Sequence, residues 1–227
     1  MKRLRVAVLV LITAAVACGA AIAVQAPTGH IANPALRKRL QSMVQKDQAA
    51  RMAMVKQMKT EGSFAGVSKT TVAAMAKVDA IDLNAMKQIV RANGWPTIPM
   101  VGRDGAQAAW LLVQHADKDP QFQMHCLALM QHAFKHHGVD GIDVAYLTDR
   151  VRKANHQRQL YGTQATFHGK TMVLDPVEDP ANLDKRRASL GMPSEAEYLK
   201  QMAQVYGLAV TSNAKPANNG GQAGKKP

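Results

Sequence analysis

The interval at which apolar residues recur constrains the fold of this 227-residue chain more than any other sequence feature. Between residues 34 and 60 the spacing is close to three and four, the period of an amphipathic α-helix. The residues concerned are Leu36, Leu40, Met43, Val44, Met54, Val55 and Met58. Asp47 and Arg51 interrupt the apolar stripe at i and i+4, a spacing at which an acid and a base can pair on one face. The pattern predicts a long helix over residues 34–60.

Further helical segments follow, separated by glycine, proline and N-capping residues. They are predicted over residues 68–80, 82–92, 106–116, 120–137, 144–155, 180–190 and 195–206, with Asp82 and Asp143 among the caps and an irregular stretch at 96–103. Two short strands are predicted at 159–164 and 171–174, paired through a turn at 168–170. The expected fold class is all-α or α-dominated: a single helical domain over residues 34–213 with at most one short β-hairpin.

The first 26 residues have the pattern of a secretory signal peptide. Three basic residues precede an uncharged run over residues 6–24, and small residues follow where a signal peptidase cuts. The run is also long enough to stay as a membrane anchor, and Cys18 offers a third interpretation as a lipidated cysteine. We expect a periplasmic or secreted protein, with an inner-membrane-anchored protein as the alternative. A linker is expected over residues 27–33, and membrane contact only through an uncleaved N-terminal segment.

The formal net charge of +13 divides among three parts of the chain. The signal segment and residues 214–227 carry +3 each, which leaves +7 on the body. Residues 214–227 are rich in Asn, Gly, Pro and Lys, and predict a flexible basic tail. The ten aromatic residues are too scattered for a nucleic-acid stacking platform, so nucleic acid is not an expected partner despite the charge. Once the signal is removed, Cys126 is the single cysteine, and no internal disulfide is expected.

Motifs that name a reaction are absent from the sequence. It contains no Gly-x-Ser-x-Gly elbow, no phosphate-binding glycine loop, no CxxC pair and no dinucleotide fingerprint. These absences argue against nucleotide chemistry and disulfide exchange, and they leave any cofactor unknown. A functional site must therefore be inferred from individual polar residues.

A first set of polar residues lies at the C-terminal end of the strongly apolar helix predicted at residues 106–116. A bend at Ala116 would bring His115 and Asp117 to one point beside Gln114. A histidine near a carboxylate is typical of a general base with an orienting acid, or of part of a metal site. We identify His115 and Asp117 as candidate catalytic residues and Gln114 as a candidate ligand-binding residue. In the alternative interpretation His115 bonds to a carbonyl and Asp117 caps the following turn.

A second group lies on the helix predicted at residues 144–155. Tyr146, Asp149 and Arg150 occupy i, i+3 and i+4, so Tyr146 can share a face with either charged neighbour. Arg150 could bind an anionic ligand group through a bidentate contact, with Asp149 orienting it. Asp149 is thus a third candidate catalytic residue, and Tyr146 and Arg150 are candidate ligand-binding residues. A purely structural Asp–Arg network is the alternative.

A third group, Tyr161-Gly162-Thr163-Gln164, is dense in hydroxyl and amide groups. Its glycine suits a close backbone approach. Tyr161, Thr163 and Gln164 are therefore candidate ligand-binding residues that would line a polar pocket. The alternative is a hairpin that bonds only to neighbouring loops.

Three histidines on the helix predicted at residues 120–137 form a separate group. His125, His132 and His136 fall near one face, and the last two have the i, i+4 spacing of a helical metal pair. No glutamate follows His132 as it would in a zinc protease. A solvated basic face is the favoured interpretation, so no metal ligand is assigned.

Four strings of residues carry a resemblance to a known family. They are Asn93-Gly94-Trp95-Pro96, Val113-Gln114-His115-Ala116-Asp117, Ala145-Tyr146-Leu147-Thr148-Asp149-Arg150-Val151 and Gln159-Leu160-Tyr161-Gly162-Thr163-Gln164. The chain resembles, over about residues 40–200, an uncharacterised bacterial family, a domain of unknown function. The resemblance implies membership and supplies no reaction.

Three functional hypotheses follow from these residues. The first is an exported single-domain protein with a polar site near residues 110–164 for a small molecule or peptide. The second is an enzyme of hydrolase or lyase type that uses His115 as general acid/base. The third is a structural or interaction protein of the cell envelope.

Overall fold

Seven α-helices account for most of the residues that the computed structural model describes, 31–168 and 171–212. They are α1 (Pro34–Glu61), α2 (Lys69–Asn93), α3 (Ile98–Gln114), α4 (Pro120–Phe134), α5 (Gly141–Ala154), α6 (Leu183–Ala188) and α7 (Glu195–Tyr206). The predictions for residues 1–26 and 214–227 lie outside the described residues. Among the helices that are described, none is long and apolar enough to cross a membrane. The prediction of a helix-dominated single domain is confirmed.

Helix α3 forms the centre of the core, as its apolar sequence predicts. Every residue from 108 to 116 is buried, and the helix packs against α1, α2, α4 and α5. Gly102 adopts a left-handed conformation with φ of 75° and kinks the first turns of α3. The helix begins at Ile98, so the prediction of an irregular stretch over residues 96–103 is wrong from Ile98 onwards, except at the non-helical Gly102.

Two predicted helix caps are wrong. Helix α2 runs unbroken from Lys69 to Asn93, so Asp82 is a buried residue in its middle instead of the start of a new helix. No glycine or proline separates residues 80 and 82, so nothing in the backbone ends the helix there. Asp143 lies in the first turn of α5, and the N-cap is Asp140.

A small three-stranded sheet closes one side of the domain. Strand β1 (Ala165–His168) pairs antiparallel with β2 (Thr171–Leu174), which pairs in parallel with β3 (Ala209–Ser212). The second predicted strand and the turn between the strands are confirmed. The first predicted strand, over residues 159–164, is wrong because the ladder starts at Ala165. Strand β3 was not predicted.

The segment that replaces the first predicted strand is a loop held by Asp149. This buried carboxylate accepts hydrogen bonds from the backbone N–H groups of Leu160 at 2.7 Å, Tyr161 at 3.1 Å and Thr163 at 3.0 Å. It also accepts a hydrogen bond from the Thr163 hydroxyl at 3.0 Å. Gly162 has a φ of 62°, which a strand does not accommodate. Because four donors bond to this one carboxylate, the backbone of the loop curls around Asp149.

The opposite side of this loop is bound by α6 and α7. The Arg187 guanidinium, fully buried, donates to the carbonyl oxygens of Tyr161 at 2.6 Å and Pro193 at 2.6 Å. The Tyr198 hydroxyl donates to the Thr163 carbonyl at 2.9 Å. The loop is therefore clamped from both sides, and its position relative to α5 is fixed.

We predict that Asp149→Asn lowers the free energy of unfolding by about 2–4 kcal/mol, because an amide presents an N–H group to donors that need an acceptor. Urea denaturation of wild type and variant measures the difference. Asp175→Asn is the control, since Asp175 is partly exposed and contacts Lys153 and Thr166. Its expected cost is about 0–1 kcal/mol. Equal costs for the two variants would contradict the anchoring role of Asp149.

Candidate functional site

A buried charged group joins α1 to α3. The Nδ1 atom of His115 lies 3.0 Å from both carboxylate oxygens of Asp47, and Arg51 Nε lies 3.0 Å from Asp47 Oδ1. Arg51 Nε is also 2.8 Å from His115 Nδ1. Nδ1 donates to Asp47 in one tautomer and accepts from Arg51 in the other, so Nε2 of His115 is an acceptor in the first and a donor in the second.

The same arginine reaches α2. Its guanidinium bonds to Asp79, and its Nη1 lies 3.3 Å from the sulfur of Met75. The carboxyl of Asp82, one helical turn after Asp79, is 6% exposed, and its Oδ2 has no hydrogen-bond partner among the described residues. Arg51 therefore ties α1, α2 and α3 together at one buried point.

Three carboxyl groups, of Asp47, Asp79 and Asp82, lie near the single guanidinium of Arg51, and this excess of acids changes the pKa values of the carboxyl groups. Burial raises the pKa of Asp79 to about 6 and that of Asp82 to about 7, and repulsion from Asp47 adds to both shifts. Burial also raises the pKa of Asp47, but contacts with His115 and Arg51 more than offset this and hold it below its usual range. At neutral pH Asp82 is partly protonated, and Asp47 carries the negative charge opposite Arg51.

His115 is neutral at pH 7. Its pKa is lowered to about 4, mainly by burial and also by the positive charge of Arg51, while Asp47 opposes both effects. Its side chain is only 2% exposed. A buried imidazole with this pKa is a weak general base, because acid–base catalysis is most efficient when the pKa lies near the working pH.

A second set of polar side chains continues from His115 towards α5 and α7. The side-chain amides of Gln114 and Gln164 both lie 3.5 Å from the Tyr146 carbonyl oxygen, so the two amides are close to each other. Arg150 contacts Asp117 at 3.4 Å, and its charge acts on both His115 and the Tyr206 hydroxyl. The polar cluster, as we call His115 with Gln114, Arg150, Gln164 and Tyr206, thus surrounds one region of the core.

Four atoms of the polar cluster are buried without a hydrogen-bond partner in the part of the chain that the structure describes. They are Gln114 Oε1, His115 Nε2, Gln164 Oε1 and the Tyr206 hydroxyl. Native proteins leave few buried polar atoms unsatisfied, and each costs about 1–3 kcal/mol. Four such atoms in one region are the strongest structural sign of a ligand or water site.

The polar cluster has an exposed edge at the end of α3. Helix α3 ends at Gln114, so His115 turns inwards while the side chain of Asp117 stays 42% exposed. The bend predicted at Ala116 therefore separates the two residues: His115 contacts Asp47, and Asp117 contacts Arg150. Asp79, 20% exposed, is coupled electrostatically to Asp117 and lies at the same edge.

The structure brings some predicted site residues together and sets others apart. Gln114, His115, Asp117, Arg150 and Gln164 belong to the polar cluster or its edge, and Tyr146 contributes its carbonyl. Asp149 and Thr163 bond to each other within the clamped loop, and Tyr161 is held there through its backbone. These three residues hold the loop, and their catalytic and ligand-binding roles stay predictions.

Sequence reasoning missed three contributors to this region, Asp79, Asp82 and Tyr206. Two others, Asp47 and Arg51, were noticed only as a helical pair. For the four charged residues the available signal was a charged side chain at a position where the helical period favours an apolar one.

The described residues contain no group of three or more His, Cys, Asp or Glu side chains arranged to hold a metal ion. Among Asp47, Asp79 and Asp82 the absence of a metal site has a clear cause, since the guanidinium of Arg51 bonds to both Asp47 and Asp79. The position that a metal ion would take there is already filled by a cation.

We predict that the stability of Asp82→Asn relative to wild type rises with pH. The folded state holds the Asp82 proton up to about pH 7 and the unfolded state only to about pH 4, so wild type loses stability between these values. The variant should be similar to wild type at pH 4 and more stable by about 1–3 kcal/mol at pH 8, as measured by urea denaturation at each pH.

Asp104→Asn is the contrast for this experiment. Despite partial burial, the hydrogen bond from Arg37 lowers the pKa of Asp104, so this variant should lose stability relative to wild type as the pH rises. Parallel profiles for the two variants would contradict the assignment of Asp82.

Comparisons with known proteins place the chain in a family. No curated protein and no solved structure matches it. A family model described as a family of unknown function, DUF6624, matches residues 34–211, which span α1 to β3. This match confirms the resemblance inferred from the four sequence strings. The chain therefore belongs to DUF6624, a family of unknown function.

Proposed function

We propose that the protein is an exported ligand-binding protein whose site is the polar cluster. The observation that carries the proposal is the set of four buried polar atoms, on Gln114, His115, Gln164 and Tyr206, that have no partner among the described residues. A bound molecule that supplied their hydrogen bonds would recover the desolvation cost of all four. Export is inferred from the sequence of residues 1–26.

The chemistry of the polar cluster defines the ligand class. Gln114 and Gln164 present amide oxygens, His115 presents the ring nitrogen Nε2, and Tyr206 can both donate and accept. These groups fit the hydroxyl or amino groups of a small polar molecule. The buried location excludes an extended peptide from the inner part of the site.

Arg150 defines the charge of the ligand at the exposed edge. Its contact with Asp117 is long, at 3.4 Å, and Asp117 is 42% exposed, so this carboxylate can be exchanged for one on a ligand. We infer that the ligand carries an anionic group that replaces Asp117 on Arg150, and hydroxyl or amino groups that reach inwards to the amides. Hydroxy acids, sugar acids and amino acids have this combination.

We predict that Tyr206→Phe weakens ligand binding without lowering stability. The hydroxyl has no protein partner, so its removal should leave the free energy of unfolding unchanged or slightly higher. Binding should weaken about tenfold, the value of one hydrogen bond in a dry site. The measurement is a thermal-shift screen of hydroxy acids, sugar acids and amino acids, followed by calorimetry on the compounds that stabilise wild type.

Tyr198→Phe is the matched control. Its hydroxyl donates to the Thr163 carbonyl, so this variant should lose about 1 kcal/mol of stability and keep its ligand affinity. A compound that binds wild type and Tyr206→Phe equally, but fails to bind Tyr198→Phe, would show that the site lies elsewhere.

One observation favours a second function, catalysis. Asp47 holds Nδ1 of His115 while Nε2 has no partner, which is the arrangement of an acid–base histidine with its orienting carboxylate. The pKa of about 4 and the 2% exposure of the side chain place this function second.

The catalytic alternative makes a distinct prediction. If His115 is a general base for ester or amide hydrolysis, the rate should fall only below about pH 4, and His115→Gln should remove activity while ligand binding persists. A panel of chromogenic esters and amides measures the rate. Binding lost together with activity in His115→Gln would instead place the residue in the binding site alone.

A further inference from the structure

A cavity lies at the C-terminal end of α4, and none of the residues that line it belongs to the polar cluster. It has a volume of about 310 Å³ and is bounded by Trp95, Leu129, Ala133, His132 and His136, among others. The floor is apolar, and the two histidines supply its titratable groups. Neither the proposed ligand site nor the family assignment accounts for this cavity.

The two histidines are placed side by side by the helix. His132 lies in the last turn of α4, and His136 follows in the turn that bonds back to Ala133. Their ring centroids are 5.2 Å apart, with an angle of 50° between the ring planes. Within residues 31–168 and 171–212 no hydrogen bond engages either imidazole, so their nitrogens are available to an exogenous group.

This separation is the one that a shared metal ion requires. A Zn–N distance of about 2.0–2.1 Å plus a ring radius of about 1.1 Å, opened to a tetrahedral angle, puts two ring centroids about 5 Å apart. The observed 5.2 Å agrees with this separation. The position also suits a cation, because the C-terminal end of a helix carries partial negative charge.

Trp95 contributes to the apolar part of the cavity lining and is 5% exposed. Its indole Nε1 is buried, so the titratable groups of the lining are the two exposed imidazoles.

We propose that His132 and His136 bind a divalent transition-metal ion, such as Zn²⁺, Ni²⁺ or Cu²⁺, at the mouth of this cavity. The imidazoles occupy two coordination positions, and water or a small anion occupies the others. Imidazole nitrogen suits these ions, whereas Mg²⁺ and Ca²⁺ are usually held by carboxylates, and the residues that line the cavity include none. The site is independent of the polar cluster.

The test uses the untagged full chain titrated with Cu²⁺, Ni²⁺ and Zn²⁺ by calorimetry, with Cu²⁺ binding also followed by electron paramagnetic resonance. We expect one ion per chain with nitrogen couplings from two imidazoles. His132→Gln and His136→Gln should each weaken binding about tenfold or more, because a chelating pair becomes a single ligand. Both histidines are exposed, so neither variant should unfold, and circular dichroism verifies this.

Two neighbouring histidines are the matched controls. His125 lies on the same helix and His137 is adjacent to His136, but neither is among the cavity residues. His125→Gln and His137→Gln should bind as wild type does. Equal affinity in all four variants, an equal loss in the controls, or no binding to wild type at millimolar ion concentrations would each overturn the proposal.

Discussion

The buried pair of Asp47 and Arg51 is the interaction on which the arrangement of the polar residues depends. A buried charge is stable only when it is paired, so the carboxylate of Asp47 and the guanidinium of Arg51 constrain every group within reach. Through Asp79 and His115 the pair joins α1 to α2 and α3. The three helices can therefore adopt only those relative positions that keep these charges satisfied.

A second polar network, formed by Asp149 and Arg187, fixes the loop over residues 159–164. Asp149 and Arg187 hold opposite sides of the loop over residues 159–164, and nearly all of their contacts are with backbone atoms. Because that loop is fixed, the amide of Gln164 lies beside that of Gln114 at the Tyr146 carbonyl. The clamped loop thus contributes Gln164 to the proposed ligand site and fixes its position.

The successes and failures of sequence reasoning have physical causes. Helical periodicity predicted α1 and the buried α3 because local spacing determines which side chains share a face. It misplaced Asp82 because an N-capping residue and a buried acid look the same in sequence. It assigned a strand to residues 159–164, paired with residues 171–174, whereas the donors to Asp149 and the positive φ of Gly162 curl the backbone. Strand β3 was not predicted because it pairs with β2, more than thirty residues away in sequence, and local spacing does not show such a pairing.

The sequence by itself determined the helix-dominated class, the centre of the core and the candidate importance of His115, Asp117 and Arg150. Only the tertiary structure decided which of the polar residues meet. It separated Asp149 from His115 and joined His115 to Asp47, 68 residues away in sequence. It also brought Tyr206 within reach of the charge of Arg150. Periodicity specifies the face of a helix on which a residue lies, but contacts between faces depend on how helices pack, and that is set by the whole core at once.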